Sequence, residues 1–159
     1  GMEIGHMIIQ PNGILCGCGG RGCWERYGSA TALIQLTQLE MERSRDSKLW
    51  ELCDNDPSKV QGRTPFQAAR LGDEAARRVL GNYLQGLSIG MINLVNILQP
   101  EIICLGGGVS NAEDDLLLDP LRELVWRGCF DKDHHVRIEK ASLGNDAGVV
   151  GAALLCNLV

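Results

Sequence analysis

The stretch Gly-Ile-Leu-Cys-Gly-Cys-Gly-Gly-Arg-Gly-Cys-Trp-Glu-Arg-Tyr-Gly-Ser, residues 13–29, sets Cys16, Cys18 and Cys23 among Gly13, Gly17, Gly19, Gly20 and Gly22. Sulfur this dense is a poor core filler but a good start on a metal site. A structural zinc ion takes four sulfur or nitrogen ligands in a tetrahedron. The three thiolates leave one position open, and His6 is the only histidine before the distant pair His134 and His135. Glycines let a backbone wrap closely around an ion because they reach positive φ without steric cost. A closed site of His6, Cys16, Cys18 and Cys23 holding Zn²⁺ is therefore expected. The competing reading is a loop of three free thiols, which oxidation would threaten. The spacing is not that of a familiar zinc finger, so the expectation rests on ligand count.

The rest of the composition narrows the class. A chain of 159 residues suits one domain, or one lobe of something larger. A formal net charge of −5 argues against a broad nucleic-acid footprint. Apolar runs are far shorter than a membrane span. Of seven cysteines, Cys53, Cys104, Cys129 and Cys156 stand singly in apolar or helical contexts. They are expected to act as small buried hydrophobes. An odd count without an even framework points to a reducing, cytoplasmic compartment.

Local patterns suggest alternating elements. Residues 6–10 read as a short strand. Ser29 is placed to cap a helix through residues 30–44, and residues 47–55 carry a second short helix. Thr64, Pro65 and Gln67 have the order of a capping box with proline at the first turn. A long helix runs from about Asp73 to Leu98, ended by Pro100. Its second half is apolar nearly all round and should be buried, with Asn93 and Asn96 needing partners. Residues 101–105 form a short buried strand entering Gly106, Gly107 and Gly108. Ser110 with Glu113 spells another capping box, and Asp119-Pro120 restarts a helix through Arg127. Residues 135–141 alternate like a strand. Asn145 or Asp146 caps a small-residue helix to the end. Strand, glycine turn and helix in this order imply α/β layers with a parallel strand pair. Such junctions are where nucleotides meet the backbone, although a tight turn alone also asks for glycine.

Taken together, "EIGHM", "CGCGGRGCWERYGS", "VNILQPEIICLGGGVS" and "LGNDAGVVGAA" resemble the C-terminal half of the ROK family (repressors, open reading frames and sugar kinases), and its bacterial glucokinases most of all. The resemblance covers essentially the whole chain. It implies the C-terminal lobe of an actin-like, ribonuclease H-like ATPase, a truncated sheet flanked by helices with a zinc-binding loop. Within one lobe over 1–159, residues 1–28 would form the zinc region, 29–98 a helical segment and 99–159 the nucleotide side.

The resemblance also implies residue roles. His6, Cys16, Cys18 and Cys23 match the family's zinc ligands. Glu3, His6 and Glu25 match groups that contact a sugar, with His6 reaching it through its second ring nitrogen. Gly106, Gly107 and Gly108 match the turn that approaches ATP, which acts with Mg²⁺ in the full-length kinases. Carboxylates accept charge-assisted hydrogen bonds from hydroxyls, so two fixed acceptors can read sugar stereochemistry. Other readings remain: Glu25 as a helix N-terminal carboxylate favoured by the dipole, and Glu3 as part of a frayed end. The family's D-x-G-G-T phosphate motif and its catalytic aspartate have no match here, so no catalytic residue is assigned. The chain reads as a separated lobe of a hexose kinase. A sugar-responsive repressor of the same family and a zinc-stabilised dimerisation module are the alternatives. A homo-oligomer is expected, with a small-molecule sugar as ligand and nucleic acid as a partner only for a repressor. The apolar C-terminal helix should pack against another chain or fold over the space a second lobe would fill.

Overall fold

The computed structural model describes residues 2–133, 136–143 and 147–155. His134, His135, Asn145, Asp146 and Cys156 lie outside the described residues, and with them the expected cap of the last helix. After a 3-10 turn at Ile4–His6 come α1 (Glu25–Gly28), α2 (Ala30–Arg43), α3 (Lys48–Leu52), α4 (Thr64–Arg70) and α5 (Glu74–Leu98). Then follow β1 (Ile102–Leu105), α6 (Leu118–Gly128), β2 (Arg137–Lys140) and α7 (Ala147–Leu155). The two strands pair in parallel, with Ile102 opposite Arg137 and Leu105 opposite Lys140. The expected α/β order with a parallel pair is present.

Helix α5 is the axle. Ala76, Val79, Leu80, Tyr83, Leu84, Leu87, Met91 and Val95 recur at helical spacing and are all buried. They meet α1, α2, α4 and α6, so one helix gathers Leu33 and Met41, Phe66 and Ala69, and Leu121 and Val125 into a single core. The helix ends where Gln99 turns left-handed at φ 45°, just before Pro100. Burial stops a turn earlier than expected: Ile97 and Leu98 are exposed. Asn93 Nδ2 faces Met7 Sδ at 3.5 Å, and Asn96 Oδ1 accepts from the Phe130 amide at 2.9 Å.

Asp73 ties two helix starts together. One carboxylate oxygen accepts from the Ala76 amide at 2.8 Å, capping α5. The other accepts from the Lys48 amide at 2.7 Å and the Ser47 hydroxyl at 2.9 Å, at the head of α3. Ser29 caps α2 through Ala32, as expected, and Ser47 caps α3 through Leu49.

Other local expectations fail, and both expected capping boxes are lost because the side chain takes a different partner. The Thr64 hydroxyl accepts from the Gln61 amide at 3.0 Å, so no box forms with Gln67. The Ser110 hydroxyl donates to the Gly107 carbonyl at 2.7 Å inside a 3-10 turn, and Glu113 pairs with Arg70 instead. Residues 6–10 are not a strand, since only Ile8 pairs, in an isolated bridge to Cys23. β1 is half-exposed rather than buried, because β2 covers one of its edges and alternate residues face outward. Cys104 is exposed with it, whereas Cys53 and Cys129 are buried as expected. In α7, Val149 is 73% and Leu154 58% exposed, and a Cβ on Gly148 or Gly151 would meet nothing within 4 Å. That helix is not folded over this chain's own surface. An apolar composition favours burial but does not choose the surface. No helix among the described residues is long and apolar enough to cross a membrane.

The N-terminal loop is seated on α5 by aromatic rings. Trp24 lies so close to α5 that a Cβ on Gly90 would stand 2.0 Å from its ring, and one on Gly86 would stand 2.8 Å from Tyr27 Cβ. Trp24 Nε1 donates to the Gly86 carbonyl at 3.1 Å. Glycine inside a helix costs about 1 kcal/mol, and here it admits an indole against bare backbone.

Two predictions follow from these contacts. Gly90→Ala should lose about 1–3 kcal/mol in urea unfolding, by overpacking against the ring; an unchanged midpoint would show that Trp24 is not clamped there. Asp73→Ala should cost about 2–3 kcal/mol, because it orphans donors at two helix ends. Burial pushes the Asp73 carboxyl up, but the Ala76 and Lys48 amides and the Ser47 hydroxyl outweigh it and hold it below the usual range. Its contribution is therefore full above the ordinary carboxylate pKa and lost as pH falls through the depressed one. Wild type and Asp73→Ala should converge in stability in acid, as read by melting at stepped pH.

Candidate metal centre and the adjoining cleft

The loop before α1 is knitted by its backbone. The Ile9 amide donates to the Gly22 carbonyl at 2.9 Å, the Gly22 amide to Ile14 at 2.9 Å, the Cys16 amide to Gly20 at 2.8 Å, and the Trp24 amide to Met7 at 2.8 Å. Gly22 holds φ +78°, and a Cβ there would lie 1.7 Å from the Gln10 carbonyl oxygen. No other residue fits that crossing.

This knitting brings together the four residues expected to bind metal. The ligand atoms of His6, Cys16, Cys18 and Cys23 lie within 4.8 Å of one another. Cys16 Sγ is 3.7 Å from His6 Nδ1, and Cys18 Sγ is 3.6 Å from Cys23 Sγ. A tetrahedral zinc with bonds of about 2.3 Å separates its sulfurs by about 3.8 Å, so the spacing fits the ion. Cys16 and Cys23 are buried, and Cys18 faces outward. Burial pushes the Cys23 thiol up to about 11, with the neighbouring thiols adding to it. The Gly20 backbone and the two other cysteines pull Cys18 down. A divalent cation would reverse the resistance of Cys23, because coordination deprotonates a thiol outright.

The predicted carboxylates flank this centre. Glu3 heads the turn Ile4–His6, and its carbonyl accepts the His6 amide at 3.0 Å. Glu25 is the first residue of α1 and is exposed, so its place at a helix start and its availability to a ligand coexist. Gly5 brings the two segments side by side: a Cβ on it would stand 3.6 Å from Glu25 Cβ and 3.9 Å from Glu25 Oε2. His6 turns Nδ1 toward Cys16, which leaves Nε2 for another partner.

From Glu25 a line of recesses leads across the molecule. The first, about 210 Å³, is lined by Ile4, Gly5, Trp24, Glu25, Gly28, Ser29 and Leu87. The second, also about 210 Å³, shares Gly28, Ser29 and Leu87 and adds Tyr83 and the turn Gly106–Gly107–Gly108. Gly107 sits at φ +82°. The third, about 370 Å³, shares Gly108 and Val109 and continues to Arg63, Phe66, Gln67 and Arg70. Arg70 bridges Glu113 and Asp115 at its rim. Gly28–Ser29 is thus a ridge between the carboxylate Glu25 and the glycine turn. Around Arg63 and Phe66 the sequence signals only a helix start, at Thr64 and Pro65, and no ligand-binding motif. α4 brings them to the turn across more than forty positions.

The chain is similar to known proteins over nearly all of its length. The chain is 33% identical to a glucokinase of Thermotoga maritima over 96% of its length and 48% of that enzyme. It is 30% identical to the DNA-binding transcriptional repressor Mlc of Escherichia coli, over 97% of this chain and 36% of the repressor. The crystal structure of a ROK family glucokinase from Streptomyces griseus, in complex with glucose and AMPPNP, superposes with a TM-score of 0.86 at 34% identity. That match covers 96% of this chain and 50% of the glucokinase. The chain thus spans about half the length of the glucokinases it matches. A model of the ROK family matches residues 1–158, and the chain belongs to that family.

Proposed function

We propose that this chain is the sugar-reading and nucleotide-facing lobe of an ATP-dependent hexose kinase. The observation that carries the proposal is the superposition on a glucokinase whose crystal holds both glucose and a nucleotide analogue. Here Glu3, His6 and Glu25 bind the sugar, glucose or a related hexose. Gly106, Gly107 and Gly108 approach ATP with its Mg²⁺. The residue divisions 1–28, 29–98 and 99–159 correspond to sugar brace, helical body and nucleotide side. Exposed Glu25 accepts hydrogen bonds from sugar hydroxyls with charge assistance.

Zinc on His6, Cys16, Cys18 and Cys23 supplies rigidity, not chemistry. It pins the segment carrying Glu3 to the segment carrying Glu25, and holds His6 so that its second nitrogen points outward. Phosphoryl transfer depends on positioning and on neutralising phosphate charge. The D-x-G-G-T motif and the proton-accepting aspartate have no match among these 159 residues, so the lobe by itself is expected to be inactive. The free thiols suit a reducing, cytoplasmic setting.

A second reading is an effector-binding domain of a repressor, favoured by the xylose repressor of Caldicellulosiruptor bescii, 30% identical over 94% of this chain, as well as by Mlc. The same sugar contacts would then report effector binding. A longer protein containing this lobe separates the two: Mg-ATP-dependent phosphorylation of glucose marks the kinase, whereas sequence-specific DNA binding released by sugar marks the repressor.

Three outcomes are expected. Metal analysis of the purified chain should find near-stoichiometric zinc, with Cys18→Ser losing most of it and chelation lowering Tm; an equally stable metal-free protein would refute the brace. Glu25→Gln in the longer kinase should reduce kcat/KM for glucose roughly 10–100-fold, the scale of one charge-assisted hydrogen bond. The 159-residue polypeptide by itself should form no glucose phosphate above a buffer control.

A further inference from the structure

The crown of the N-terminal loop carries two sulfurs in unequal surroundings. Cys18 Sγ and Cys23 Sγ stand 3.6 Å apart. Cys18 is exposed, as are Gly17 and Gly19 on either side of it. A Cβ on Gly17 or Gly19 would meet nothing within 4 Å, so the crown has open space around its sulfur. Gly20 passes beside both sulfurs: a Cβ there would lie 3.5 Å from Cys18 Sγ and 3.6 Å from Cys23 Sγ.

Cys23 is placed in the opposite way. It is buried between Gly22, which is wedged against the Gln10 carbonyl, and Trp24, which is seated on α5. The Gly22 amide donates to Ile14 and the Trp24 amide to Met7, each at 2.9 and 2.8 Å respectively, so the backbone holds Cys23 from both sides. Cys16 is also buried and faces His6 Nδ1 at 3.7 Å. One sulfur is thus accessible on an open turn, a second is fixed beside it, and the third is turned to the histidine.

We propose that Cys18 and Cys23 are a reversible, peroxide-sensitive pair, and that a disulfide between them releases the metal held by the four ligands. The proposal rests on the zinc reading of the same residues. A metal-bound cysteine is a thiolate, the nucleophilic form. The Cys18 thiolate attacks one oxygen of hydrogen peroxide. The O–O bond breaks, hydroxide leaves, and Cys18 becomes a sulfenic acid. The Cys23 thiolate then attacks the Cys18 sulfur, the S–O bond breaks, a second hydroxide leaves, and the S–S bond closes. Two electrons pass from the two thiolates to the peroxide, and the two hydroxides take protons from solvent to become water. An S–S bond of about 2.05 Å asks the sulfurs to approach by only about 1.5 Å, which the open crown allows. His6 and Cys16 remain as two ligands, short of the four that a structural zinc takes. The turn carrying Glu3 is then no longer pinned to the segment carrying Glu25. A thiol reductant opens the bond by exchange and restores the four ligands.

The test uses the purified 159-residue chain, as wild type and as Cys104→Ser, which removes the other exposed thiol among the described residues. Zinc content is measured first, because a chain without zinc fails the brace itself and this proposal with it. Hydrogen peroxide is then added beside a chromophoric zinc chelator, and the product is mapped by mass spectrometry of unreduced peptides. Both forms should release near-stoichiometric zinc above a peroxide-free control and at the same rate. The peptides of Cys18 and Cys23 should be joined, lighter by two hydrogens. Dithiothreitol with added zinc should restore the metal content. In the longer kinase, KM for glucose should rise roughly tenfold to a hundredfold as zinc leaves, and fall again on reduction, because the sugar contacts lose their placement. Zinc present at the start but retained under peroxide would overturn the proposal and leave the brace standing. Release with Cys18 carried on to a sulfinic acid, or joined to Cys16, would refute the pairing with Cys23. Release abolished in Cys104→Ser would place the reactive thiol elsewhere. An unchanged KM after full release would sever the pair from the sugar site.

Discussion

Everything at the candidate site hangs on the contact between Trp24 and the bare backbone of α5 at Gly86 and Gly90. α5 carries much of the core and meets α1, α2, α4 and α6. The loop that carries Cys16, Cys18 and Cys23 buries little apolar surface of its own, since Ile8, Ile14 and Leu15 are exposed. The indole transfers order from the one to the other. Its position also sets Glu25, the next residue, beside Gly5 and hence beside the turn that carries His6. Removing a Cβ at two helical positions costs helix propensity, and burial of an aromatic ring offsets it.

The candidate metal centre would share the anchoring with the aromatic contact. The knitted backbone brings four candidate ligand atoms to spacings that suit a tetrahedral ion. A cation held there would couple its occupancy to the relative placement of Glu3, His6 and Glu25. Beyond Gly28–Ser29, the same surface continues to the glycine turn after β1. One face of the lobe thus presents carboxylates and a close-approach backbone turn in line, and the proposed kinase chemistry requires both on one side.

The parts legible in the sequence were those in which one short segment carries the whole signal. The cluster His6, Cys16, Cys18 and Cys23, the cap Ser29, the long helix and the parallel order of β1 and β2 all belong to this class. Expectations failed where a residue had two feasible partners close together. Thr64 turned to the Gln61 amide and Ser110 to the Gly107 carbonyl, each three residues back, instead of forward to a box partner at the same separation. Residues 6–10 satisfied their hydrogen bonds with Gly22 and the loop, not as a strand. The burial of β1 and Cys104 depended on how many strands cover them, which a local pattern does not contain.

By itself the sequence determined chemistry and local conformation: which side chains can ligate a metal, which can accept from a hydroxyl, where helices start, and where only glycine can turn. These follow from covalent structure and from interactions a few residues apart. Only the tertiary structure decided that Trp24 presses on Gly90 and that Arg63 and Phe66 come to the glycine turn. Those facts join residues from about forty to more than sixty positions apart. They arise from the packing of preformed helices around α5, where shape complementarity among many side chains, not any one of them, selects the arrangement.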